Sequence, residues 1–182
     1  ALLVPGYGAE GKIQTIQEIL PDGKKKWLPG GKAAGAFYLI GDPGDVLYVA
    51  EGFATAATVR ELTGEAVAVA FTCGNLQAVA EAMAARHPHS RLVLVADNDR
   101  ETEGNPGVTK AREAAEAVNG TYVVPLFQKD SGTDFNDLRR DEGDDAARAR
   151  LGDELPPSIP PIKWEPVVPL GGMTEAPEAW PW

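Results

Sequence analysis

Four short apolar runs constrain this chain more than any other feature. They are VLYVA (46–50), AVAVAF (66–71), LVLVA (92–96) and TYVVPL (121–126). Each is too short for a buried helix, and each is rich in Val or Leu. Continuous apolar runs of this length suit strands covered on both faces. Helical patterns separate them. Leu76, Val79, Ala80, Met83 and Ala84 recur at i, i+3, i+4, i+7 and i+8, and Ala111, Ala114, Ala115 and Val118 repeat the pattern as far as i+7. A weaker helix over about 53–63 carries Phe53, Ala56, Ala57 and Leu62, and Gly64 and Gly120 stand where helices should stop. Strand and helix alternate, which predicts an α/β fold with a parallel sheet and helices on both faces.

The flanks differ. Residues 1–45 alternate loosely and are rich in turn signals. KIQTIQEIL and KKKWLPG enclose Pro21-Asp22-Gly23, which reads as a β-hairpin. This stretch is expected to form a small β-rich subdomain before the α/β domain of residues 46–150. Residues 151–182 hold eight of the fifteen prolines and three of the four tryptophans, a composition of linkers and docking tails.

Net charge is −10. That argues against a module gripping nucleic acid by charge alone, but not against an enzyme whose divalent metals bridge carboxylates to phosphates. The single cysteine, Cys73, excludes an internal disulfide and a cysteine-based zinc site. No apolar run approaches the ~20 residues of a membrane span. No basic-then-apolar leader is visible, so a cytoplasmic setting is expected. A start at Ala1 in what reads as a strand suggests a piece of a longer polypeptide.

Candidate chemistry lies at the strand ends. Open parallel sheets bind ligands beyond the carboxyl ends of their strands. Glu51 ends the first run, and Asp97 and Asp99 follow the third. Side chains two apart on extended chain leave on the same side, about 6.6 Å apart. If the two strands are neighbours, three carboxylates converge and repel unless a cation neutralises them. Oxygen ligands without His or Cys select Mg²⁺ or Mn²⁺. A lone Asp-x-Asp is otherwise a common cap or solvated loop. The EF-hand, P-loop and dinucleotide-binding patterns all fail here.

VAEGFATAATV and LVLVADNDRETEGNPGVTKAREAA resemble the two signature segments of the Toprim domain. FTCGNLQAVAEAMAARHP, GTDFNDLRR and the upstream IQTIQEILPDGKKKWLPGGKAAGAFYLIG resemble plasmid and phage DNA primases of the DnaG type. The resemblance covers about residues 10–140. It implies a Toprim-like fold and nucleotidyl transfer. In that reaction a 3′-hydroxyl attacks the α-phosphate of an NTP and pyrophosphate leaves. It implies Asp97 and Asp99 as metal ligands and Glu51 as general acid/base or a metal-proximal acid. It also implies single-stranded DNA template, NTPs and nascent RNA primer as partners, and a helicase domain or replicative helicase. Lys24, Lys25, Lys26 and Lys32 are phosphate-contact candidates, against the alternative of a solvated hairpin; Trp27 could stack on a base or anchor the hairpin. Lys110 could reach a phosphate at the same edge. Asp134 is either a further acid or a helix cap. Cys73 reads as a small buried residue. Tyr38, Tyr48 and Tyr122 read as core, leaving no evident DNA-cleaving nucleophile. Two alternatives stay open: a Toprim nuclease, and a non-catalytic domain that binds nucleotides or a partner.

Overall fold

The structure, a computed structural model, describes residues 1–128 and 132–154. The Pro- and Trp-rich segment from residue 155 onward lies outside the described residues.

Two sheets form the molecule. The first is antiparallel, with strands β1 (Leu2–Tyr7), β2 (Ile13–Ile19) and β3 (Lys25–Trp27) in that order. The expected hairpin joins β2 to β3. Leu20 and Lys24 close it, and Gly23 takes φ 81, a conformation that favours glycine.

The second sheet has five strands: β4 (Tyr38–Ile40), β5 (Val46–Ala50), β6 (Ala66–Val69), β7 (Arg91–Val95) and β8 (Thr121–Val123). Their order is β4-β6-β5-β7-β8. The four apolar runs are the parallel strands β5 to β8. β4 adds an antiparallel edge beside β6, which was not read from the sequence.

Helices cover both faces, as the apolar runs require. α1 (Phe53–Thr63), α4 (Phe135–Glu142) and α5 (Asp144–Gly152) pack on the face to which Tyr48 and Ala50 point. α2 (Leu76–Arg86) and α3 (Pro106–Ala117) pack on the other, against Leu47 and Val49. The alternation along β5 thus divides the core in two.

The helix stops are half as expected. Gly64 is left-handed at φ 77 and donates to Arg60. After α3, however, Asn119 takes the left-handed turn at φ 52. Gly120 is required for a different reason: a Cβ there would lie 2.6 Å from the Leu92 carbonyl oxygen. Among the described residues no helix is long and apolar enough to cross a membrane.

Candidate metal centre

β5 and β7 are direct neighbours, with Ala50 opposite Val95. Glu51 therefore leaves the sheet beside Asp97, at the carboxyl edge. The loop that carries the aspartates is held from below by Asn98, which is 4% exposed. Its backbone N–H donates to Thr133 at 2.7 Å and its amide nitrogen to Pro125 at 3.2 Å. Its amide oxygen accepts from Asn105 at 2.8 Å. Asn98 is thus buried between two acids that are themselves half-buried. The alternation of extended chain allows for such an anchor, but the sequence reading did not single it out.

Burial first, then the carboxylates of Glu51, Asp134 and Asp99, push the Asp97 carboxyl up to about 8; Lys25 pulls the other way. Glu51 is also raised, chiefly by burial. The backbone N–H of Cys73 opposes that shift, Asp99 adds to it and Lys25 reduces it. Asp97 Oδ1 is buried without a hydrogen-bond partner among the described residues. A desolvated carboxylate oxygen with no donor is costly. An all-oxygen donor set with surplus negative charge and one unpaired oxygen fits a hard divalent cation. Among the described residues, no group of three or more His, Cys, Asp or Glu side chains stands close enough together to hold a metal ion as they are placed.

Asp134 combines the two readings given for it. Its carboxylate caps α4 by accepting from the Asp137 N–H at 2.8 Å, and its charge also acts on Asp97.

The lysines do not all lie on one face. Lys25 and Trp27 lie on the same face of β3, two residues apart, and that face meets the larger sheet. The Lys25 ammonium is 3.4 Å from where a Cβ on Gly52 would stand, and Trp27 meets Phe71 edge-on at 5.3 Å. Lys26 turns the other way, opposite Glu18. Lys24 is bound to Asp22 at 2.8 Å. Lys32 is exposed on the segment after β3, and Lys110 pairs with Glu113 at 2.7 Å.

Cys73 is half-buried rather than enclosed. Burial, Glu51 and Asp99 hold its thiol above its ordinary range, which keeps it protonated and poorly nucleophilic.

The Toprim domain family model matches residues 46–145. The chain belongs to the Toprim family. Two curated relatives, both named DNA primase TraC and both from Escherichia coli, are 44% and 40% identical to it. The matches cover 68% and 74% of this chain, but only 12% and 10% of the relatives. This Toprim chain therefore spans about a tenth of the length of the curated proteins it matches. Among solved structures, a DNA primase domain from Pseudomonas aeruginosa superposes with a TM-score of 0.56 at 18% identity, covering 85% of this chain and 51% of that one. The DnaG primase catalytic domain bound to single-stranded DNA gives 0.55 at 16%, with the same coverage of 85% and 51%. The primase fragment of a bacteriophage primase-helicase protein gives 0.56 at 16%, covering 82% and 62%. At these identities the likeness is one of fold.

Proposed function

We propose that this Toprim domain is the catalytic part of a DNA primase, carrying out metal-dependent nucleotidyl transfer to make RNA primers on single-stranded DNA. The supporting observation is the Asp97 carboxylate oxygen, buried without a partner among the described residues, with Glu51, Asp99, Asp134 and Lys25 around it. Relatives named as primases support the substrate class.

Asp97 and Asp99 would hold Mg²⁺ or Mn²⁺. Bound there, the cation would supply charge stabilisation to a reacting phosphate. Glu51 is held above the ordinary carboxyl range, so it can take a proton from an attacking hydroxyl and release it as the reaction proceeds. Its neighbour Gly52 lets a phosphate approach the backbone closely. Lys25 is the lysine placed to meet that phosphate. Lys32 and Lys110 are candidates for a strand or a triphosphate further out. Lys24, in an exposed pair with Asp22, and Lys26, on the other face of β3, are candidates of the same kind. The remaining partners on this reading are the template, NTPs, the nascent primer and a helicase.

The test is product analysis with the complete protein that contains this chain. Supplied with labelled NTPs, single-stranded DNA and Mg²⁺ or Mn²⁺, it should make short RNA. Cleavage of labelled DNA without RNA synthesis would favour the nuclease reading instead.

A further inference from the structure

The Gly74-Asn75-Leu76 motif has no part in the chemistry above, yet its asparagine sits at a junction. Asn75 is 7% exposed. Its amide oxygen accepts from the Gly35 N–H at 2.8 Å. Its amide nitrogen donates to the carbonyls of Ala36 at 2.8 Å, Ala70 at 2.9 Å and Ala33 at 3.3 Å. One donor and three acceptors around it fix which way the amide faces.

Those partners belong to two different parts of the fold. Ala70 follows β6 and donates its N–H to Ala50, the residue before Glu51. Ala33, Gly35 and Ala36 form the segment that leads from Lys32 into β4. Asn75 therefore ties the connection from the lysine-bearing sheet to the strand ends of the acid-bearing sheet. The same stretch of chain makes two more links. Phe71, in the left-handed region at φ 70, packs against Trp27 in a T-shaped pair. Cys73 turns its backbone N–H toward Glu51. Gly6 of β1 fits closely here too, since a Cβ on it would lie 3.1 Å from Ala36 Cβ and 3.3 Å from the Phe71 ring.

We infer that Asn75 is a positioning residue: it latches the 33–36 segment to the end of β6 and so sets where Lys25 stands over the Glu51–Asp97 edge for a nucleotide phosphate. This rests on the primase reading for its ligand, but the latch itself is a statement about coupling between Asn75 and Lys25. A side chain that only added stability would weaken the fold without altering what Lys25 contributes.

The experiment is a double-mutant cycle on the complete protein. Asn75→Ala, Lys25→Ala and the double variant are compared for binding of a fluorescein-labelled single-stranded oligonucleotide and, separately, of an NTP with Mg²⁺. All are measured well below each variant's unfolding midpoint. Lys25→Ala should weaken one of the two ligands by about two- to fivefold, the scale of one exposed ionic contact. Asn75→Ala should weaken the same ligand by a similar factor, and the double variant should bind no worse than either single one. The ligand that shows the coupling tells whether the phosphate comes from the strand or from the triphosphate. Losses that multiply in the double variant would overturn the inference. So would an Asn75→Ala protein that binds both ligands as wild type does, or a Lys25→Ala protein unaffected with both. Asn75→Ser, which keeps one donor and one acceptor, repeats the cycle if the alanine variant does not fold. Primer synthesis by the wild-type protein decides the primase reading separately.

Discussion

Gly107 lies against the backbone of Asp97 so closely that a Cβ on it would stand 2.2 Å from the Asp97 carbonyl oxygen and 2.9 Å from the carbonyl carbon. Gly107 is in the first turn of α3, where α-helical backbone suits any residue, so the requirement is one of space. The start of α3 is thereby fixed to the strand end that carries the acids. Gly107→Ala must move Asp97 or the helix, because both atoms in the way are backbone. The expected cost is about 1–3 kcal/mol, the range for overpacking. Stabilisation by Mn²⁺ should fall with it. Urea unfolding with and without Mn²⁺ reads both effects, and a wild-type response in both would contradict the packing argument.

Asp134 offers a separation of cap from charge. Asparagine caps helices about as well as aspartate, whereas alanine loses about 0.5–2 kcal/mol. Asp134→Asn should therefore unfold close to wild type, and Asp134→Ala earlier. Both should lower the pH at which Asp97 titrates, since each removes a charge that raises it. NMR titration of the Asp97 carboxyl carbon, alongside the unfolding curves, checks the two effects independently.

The pH dependence of metal-free stability follows from Asp97. Its carboxyl is held up to about 8 in the folded protein, against about 3.9 in an unfolded chain. Between those values the folded state keeps a proton that the unfolded state releases. The stabilisation is complete below about pH 4 and is lost as pH rises through about 8. Glu51, also raised, acts in the same direction. In EDTA, the stability of wild type relative to Asp97→Asn should fall on the order of a few kcal/mol between about pH 5 and pH 8. A cation competes with the same proton, so metal affinity should increase up to about pH 8. A difference between the two proteins that does not change with pH would show that Asp97 is not buried as described.

Asp99→Asn removes one like charge from the cluster. Metal-free stability should stay the same or increase, while stabilisation by Mn²⁺ decreases. Thermal unfolding in EDTA and in Mn²⁺ tests this. A marked loss in EDTA would assign Asp99 a structural role instead.

The parallel core was legible because burial on both faces leaves an unbroken apolar run, and four such runs gave β5 to β8. The edge strand β4 was not. It is three residues long, its side chains are half-buried, and its partner lies some thirty residues away in sequence. α5 buries only Ala147 and Leu151, too few positions to show a period. At the site, the acids were legible from their place after strands. Lys25 could have been told from Lys24 and Lys26, since a strand alternates its faces, but only once Trp27 was known to pack against Phe71. Asn75 and Asn98 gave no such signal: an asparagine outside a strand or helix reads as a turn former, and what each one ties together is far away in sequence.

The central claim, that Glu51 handles protons while Asp97 and Asp99 hold the cation, is tested most directly by single-turnover primer synthesis across a metal titration. The comparison uses the complete protein that contains this chain, as wild type, Glu51→Gln and Asp97→Asn. Glu51→Gln should lower the rate about 10²–10⁴-fold, the usual contribution of acid–base help, and should stay slow at every metal concentration. Asp97→Asn should be inactive at low metal and partly restored by high Mn²⁺. If Glu51→Gln instead regains the wild-type rate at high metal, Glu51 is a ligand and the proton-transfer role assigned to it is wrong.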